Sequence, residues 1–142
     1  MTTKSVLVVD DEKNIRQTLA QALVPMGLHV ETAVNGEEAL QKVRDAEFDL
    51  MLLDLKMPGV DGMEVLRSLS DVRPEIRIII ITAYGTVKNA VEAIKLGAVD
   101  FIEKPFSPRE IRELVNSVLA RDTLEPSALH GYDAHIQWSK RC

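Results

Sequence analysis

Short unbroken apolar runs alternate along the chain with segments whose apolar residues recur at helical spacing. Val6–Val9 is a β-branched run and reads as a first strand. Ile15, Leu19 and Leu23 then fall on one helix face, and Pro25 and Gly27 end or kink that segment. Leu28–Ala33 predicts a second, weaker strand. Asn35-Gly36 reads as a turn, and Ala39, Leu40 and Val43 mark a second helix. Leu50–Leu53 is apolar without interruption, as expected of a strand buried on both faces, and it stops on Asp54, with Pro58-Gly59 forcing a turn.

Asp61 with Glu64 three residues on predicts a capping box, and Met63, Leu66 and Leu69 supply the stripe of a third helix. Ile76–Ile81 predicts a fourth strand, ending in Thr82. Val87, Ala90, Val91 and Ile94 predict a fourth helix, stopped by Gly97. Ala98–Ile102 predicts the fifth strand, before Lys104-Pro105. Ser107-Pro108-Arg109-Glu110 combines a capping serine, proline at the first helical position and glutamate at the third. Ile111, Leu114, Val115, Val118 and Leu119 carry that fifth helix to about Asp122.

Alternation of this kind implies an α/β fold: a doubly wound, five-stranded parallel sheet with helices on both faces and right-handed crossovers. Of the two common strand orders, 2-1-3-4-5 suits five strands better than the six-strand dinucleotide order. Residues 4–122 are expected to form the folded unit. Residues 123–142 have no period and read as a linker, a tail or an added remnant without its own fold. His130 and His135 in that stretch do not make a metal site, and Trp138 carries no readable role.

Order 2-1-3-4-5 sets strand 1 beside strand 3, so Asp10 and Asp11 meet Asp54 at one sheet edge, where open α/β sheets bind ligands. Like charges so placed repel; either one carboxyl stays protonated or a cation joins them. Hard oxygens too few for a closed cage suit Mg²⁺. The plainer reading is that Asp10-Asp11-Glu12 merely opens a helix, where acids are favoured, and that Asp54 caps a loop. Joint placement at adjacent strand ends favours the metal. Thr82 and Lys104 end strands 4 and 5 on the same edge. A threonine or lysine there is usually only a strand end. With an aspartate and Mg²⁺, however, they form a set suited to phosphoryl transfer, where positioning and charge neutralisation do most of the catalysis.

The totals narrow the class. With 142 residues there is room for one domain with a real core. Aromatics are 4% against 46% apolar, so aliphatic residues must build the interior. A formal charge of −5 argues against a nucleic-acid surface on this segment. The single cysteine, Cys142, allows no disulfide framework. No signal-peptide layout and no run long enough to span a bilayer are present, so the chain is expected in the cytoplasm.

Asp10-Asp11, Asp54, Thr82 and Lys104-Pro105-Phe106, in order and at the expected strand ends, resemble the receiver domain of two-component response regulators, with its CheY-like fold. The resemblance implies that Asp54 accepts a phosphoryl group from a sensor histidine kinase. It implies that the Asp10-Asp11 pair, Asp54 and the backbone carbonyl of Lys56 hold Mg²⁺, with Mn²⁺ as a substitute. Lys104-Pro105 would be cis. Thr82 would swing toward the phosphoryl group and the ring of Phe101 turn inward, although an aromatic there is more often simply core. Lys56 and Tyr84 would flank the attacking water and set the adduct's lifetime. The face of helix 4, strand 5 and helix 5 would pass the change to an output domain of the AAA+/DNA-binding kind or to a second copy. Val87, Ala90 and Val99 there could equally be ordinary packing. Pro58-Gly59, Ala83-Tyr84-Gly85 and Asp100-Phe101-Ile102 look closest to receivers of σ54-dependent, NtrC-like transcriptional activators. A receiver is not an enzyme in the usual sense, since it catalyses only its own phosphotransfer and dephosphorylation.

Three rivals remain. A haloacid-dehalogenase-type phosphohydrolase wants a second acid two residues after the nucleophile, where this chain has Lys56. A flavin binder wants bare N–H groups where Asp10-Asp11-Glu12 stands. A scaffold that is never phosphorylated has no use for the acid, hydroxyl and lysine set.

Overall fold

The structure of the chain, a computed structural model, describes residues 3–57, 59–83 and 87–121, and for Val87 its place in a helix only. Strands β1 (Ser5–Val9), β2 (His29–Ala33), β3 (Leu50–Asp54), β4 (Arg77–Thr82) and β5 (Asp100–Glu103) form one sheet. Its order is β2-β1-β3-β4-β5, and every neighbouring pair is parallel. Helices α1 (Lys13–Leu23), α2 (Gly36–Asp45), α3 (Gly62–Val72), α4 (Val87–Lys95) and α5 (Pro108–Ala120) connect the strands. The architecture is the doubly wound one that the apolar pattern predicts.

Because side chains alternate along a strand, β3 feeds two cores. Leu50 and Leu52 join Val6, Val8, Ile79 and Ile81 under α1 and α5, against Leu19, Leu23, Ile111 and Val115. Met51 and Leu53 join Leu7, Val9 and Ile80 on the other face, against Ala39, Val43, Val65, Leu66 and Ala93. Every residue of β3 is buried. An apolar run with no polar alternation fits such a strand and no exposed one.

Element ends differ from the sequence reading where backbone N–H groups are already spent. The N–H of Ile76 bonds Arg73 O in a turn, so β4 begins at Arg77. Gly97 takes φ 115°, the N–H of Ala98 bonds Ala93 O to close α4, and β5 begins only at Asp100. β2 begins at His29 rather than Leu28. Asn35 is not a turn residue but the N-cap of α2, its Oδ1 accepting from Glu38 N at 2.8 Å. Pro25 falls in a 3₁₀ turn, Val24–Met26, just past α1. Ser107 and Glu110 form the full capping box of α5. At α3, Asp61 accepts from Glu64 N, and the return bond from the Glu64 side chain is not made.

The amino-terminal rim of the sheet is tied together by side chains that reach helix carbonyls. Arg73 donates to Val43 O of α2, Ser70 Oγ to Leu96 O beside the end of α4, and Arg77 to Val118 O of α5. Carbonyls at a helix end lack the donor four residues on that serves the helix interior. A shallow cleft of about 360 Å³ on this rim is lined by residues from both ends of the folded unit, Lys4 and Arg121.

Gly62, the first residue of α3, lets that helix seat directly behind the end of β3. Its N–H bonds Leu55 O at 3.0 Å. A Cβ there would lie 2.3 Å from Asp54 O and 2.6 Å from Leu55 Cα, both backbone atoms. Ala in place of Gly ordinarily stabilises by reducing unfolded-state entropy, but here the overlap decides. Gly62→Ala is expected to destabilise by about 1–3 kcal/mol, read as a lower midpoint in urea unfolding.

Candidate functional site

The carboxyl ends of β1, β3, β4 and β5 bring four of the expected residues to one rim. Asp54 is the last residue of β3 and Thr82 the last of β4; Asp10 follows β1 and Lys104 follows β5. Asp10 and Thr82 are fully buried, and Asp54 is nearly so. Backbone bonds fix their places. Asp10 N donates to Ala33 O at 3.2 Å, and Lys104 N to Thr82 O at 2.9 Å. Arg16 of α1 donates to the carbonyl of Asp10 at 2.9 Å. The Lys104–Pro105 peptide is cis.

The two carboxylates are oriented by their own loops. Asp10 Oδ1 accepts from Glu12 N at 2.9 Å, and Asp54 Oδ1 from Lys56 N at 3.1 Å. Each is a bond from side chain to the backbone two residues on, the local habit of aspartate in turns. The second oxygens face Lys104. Its Nζ lies 2.9 Å from Asp10 Oδ2, 3.2 Å from Asp54 Oδ2 and 2.9 Å from Glu12 Oε1. The last two are directed hydrogen bonds. Asp10 Oδ2 is an ion-pair neighbour off the hydrogen-bonding line, so this buried oxygen has no hydrogen-bond donor.

Burial pushes the Asp10 carboxyl up to about 6 from an ordinary 3.8; the Glu12 N–H and Lys104 oppose the shift, and the charge of Asp54 adds to it. Burial works to lower Lys104, but the carboxylates of Glu12, Asp10 and Asp54 around it outweigh this and raise it above the ordinary lysine value. The ammonium is therefore fixed as a cation, and the repulsion expected among the acids is met by this one charge.

Asp10, Glu12 and Asp54 each bring a carboxylate oxygen within 4.8 Å of the others. Hard oxygen donors in this number, one of them buried and lacking a donor, fit a hard divalent ion that keeps part of its water. Asp11 does not join this cluster. It is exposed and lines the open cleft of about 600 Å³ above, with Glu12, Asp54, Lys56 and Ala83. The turn at Asp10 carries Glu12 over Lys104 instead. Glu12 is the functional residue that the apolar pattern misses, and the one signal for it is the two-residue offset from Asp10.

Phe101 is buried in the core on the α3–α4 side of the sheet. On α4, Ala90 is likewise core, while Val91 and Ile94 are exposed. Val99 packs partly against the opposite core. Tyr84 and Pro58 lie outside the described residues, as do residues 122–142, and nothing is described of the Val87 side chain. No helix among the described residues is long and apolar enough to cross a membrane.

Comparison with known proteins gives the same answer along the chain. The model of the response regulator receiver domain matches residues 6–116. The transcriptional regulatory protein ResD of Bacillus subtilis is 44% identical over 82% of this chain and 48% of its own length. The regulatory protein AtoC of Escherichia coli is 34% identical over 91% of this chain and 28% of its own. The chain thus spans half or less of these curated relatives. A receiver domain protein (CheY-like) from Methanospirillum hungatei superposes with a TM-score of 0.80 at 34% identity, covering 83% of this chain and 94% of that one.

The raised Asp10 carboxyl has a signed consequence. The folded state holds this proton more tightly than the unfolded chain, so the group's contribution to stability falls as pH rises from about 4 to about 6. In chelator at neutral pH, Asp10→Asn is expected to raise the melting temperature by the equivalent of roughly 2 kcal/mol. The gain should shrink on acidification, as Asp10 itself takes up a proton. Thermal melts across the acid-to-neutral range check this; a pH-independent difference would contradict it.

Proposed function

Because this chain belongs to the response regulator receiver family, the phosphoacceptor signalling domain of two-component systems, we propose that Asp54 is its phosphoacceptor and that a histidine kinase is the donor. The observation that supports this most is the meeting of Asp54 with the Lys104 ammonium at 3.2 Å on the rim where β1, β3 and β5 end. In the reaction a carboxylate oxygen of Asp54 attacks the phosphorus of a phosphohistidine. A P–O bond forms as the P–N bond breaks, and the freed imidazole nitrogen takes a proton from solvent.

The residues divide the work by charge and position. The Lys56 N–H holds one Asp54 oxygen and so sets the carboxylate's plane. Lys104 neutralises negative charge on the transferred group, and the Thr82 hydroxyl, at the end of β4, takes a phosphoryl oxygen. Asp54, Asp10, the Lys56 carbonyl and Asp11, which lines the cleft above them, would hold Mg²⁺, which neutralises phosphoryl oxygens when bound. Lys56 and Tyr84 tune the adduct's lifetime. Residues 4–122 are taken as the receiver unit.

The adduct brings charge and strong acceptors to a rim whose α4 carries exposed Val91 and Ile94. These two, rather than Ala90, are the residues through which α4, β5 and α5 would report to an output domain or a second copy. Phe101 and Thr82 form the switch behind it. Transcription control of the NtrC-like kind is supported by Ala83-Tyr84-Gly85 and by the likeness to the DNA-binding transcriptional regulator NtrC of Azospirillum brasilense. The phosphohydrolase is not favoured, since Lys56 stands where its acid–base residue would be.

Incubation with acetyl phosphate and Mg²⁺ is expected to give one acid-stable, base-labile adduct. Asp54→Asn and chelation should each abolish it, as read by intact mass. Steady turnover of the donor with no adduct would point to the hydrolase instead.

A further inference from the structure

Lys104 has more partners than the phosphoacceptor reaction leaves room for. Its ammonium carries three N–H donors and no acceptor. Three carboxylates surround it, from Asp10, Glu12 and Asp54, at 2.9, 2.9 and 3.2 Å. A phosphoryl group on Asp54 adds oxygens that compete for the same ammonium, so the most weakly held partner yields.

Burial decides which. The Asp10 side chain is fully buried, and one of its oxygens already lacks a hydrogen-bond donor. Stripping away the cation would strand a buried charge, which is costly. Asp54 carries the incoming group and cannot withdraw. The Glu12 side chain is 59% exposed, so its carboxylate regains water on departure. Exposed ion pairs are weak, so this partner is released at little cost.

We propose that Glu12 is the exchangeable partner of Lys104: it holds the ammonium while Asp54 is bare, yields it to the phosphoryl oxygens on loading, and thereby sets how readily the site loads. This rests on the phosphoacceptor reading above. Glu12 is a positioning residue, acting through Lys104, and its competitor is any tetrahedral oxyanion or oxyanion mimic seated on Asp54.

The test is a double-mutant cycle of Glu12→Gln with Lys104→Met, using beryllofluoride and Mg²⁺ as the probe and amide chemical shifts as the readout. Glu12→Gln is expected to tighten beryllofluoride binding by about two- to fivefold, the range set by an exposed ion pair. With acetyl phosphate it should lower the half-saturating donor concentration. In the Lys104→Met background the same substitution should change nothing. Equal affinity of Glu12→Gln and wild type, or an equal gain without Lys104, overturns the proposal. Should Lys104→Met bind too weakly to measure, ionic strength decides. A gain that survives high salt supports direct contact. A gain that salt abolishes is long-range repulsion of the anion and overturns the proposal. A wild type that takes up neither beryllofluoride nor a phosphoryl group brings down the phosphoacceptor reading and this one together. A wild type that loads, beside a Glu12→Gln variant that behaves identically, removes the role of Glu12 alone.

Discussion

Two carboxylates buried at the ends of adjacent strands repel one another, and the rim they share needs a cation between them or a proton on one of them. β1 and β3 are hydrogen-bonded neighbours, so Asp10 and Asp54 are brought together by the sheet itself. Water cannot screen them, because both are buried. The answer comes from β5, two strands away from β3. Lys104 reaches back across the end of β4 and sets its ammonium among the acids. At such separations the attraction is several kcal/mol even at an effective dielectric of about 20. Much of it only offsets the cost of taking the charges out of water.

The rest of the fold can be understood as what keeps that arrangement from relaxing. β3 is covered on both faces, so Asp54 cannot slide or turn outward without pulling Leu50–Leu53 out of two cores. Gly62 allows α3 to close against the carbonyl of Asp54. Arg16 holds the Asp10 carbonyl from α1. Buried strands and a dry interior thus hold the charged groups at fixed spacing, which is what a site that works by electrostatics requires.

How much of this was legible in the sequence follows from what each signal measures. Apolar period and run length report burial, so the strand order and the places of Asp10, Asp54, Thr82 and Lys104 could be read from where the runs stop. They do not report where backbone hydrogen bonds go. That is why the start of β5 and the cap at Asn35 escape the pattern: Ala98 N closes α4, and the Asn35 side chain caps the first turn of α2. Nor do they report which way consecutive polar residues point. Asp10-Asp11-Glu12 looked like a pair of acids followed by a helix start, and Asp11 was expected in the cluster. The turn in which Asp10 accepts from Glu12 N sets Asp11 at the open cleft above the cluster and brings Glu12 to Lys104.

The cleft shared by Lys4 and Arg121 has an architectural consequence. Lys4 and Arg121, close to the two ends of the described residues, line the same cleft, on the rim farthest from the charged one. Both lie where side chains already anchor helix carbonyls. A domain whose ends lie so close together can be spliced into a loop of a host protein or joined end to end and reopened elsewhere, because neither operation separates its strands. Modularity of this sort comes from geometry alone, and it lets a single receiver be coupled to unrelated machinery without disturbing the acids at its opposite pole.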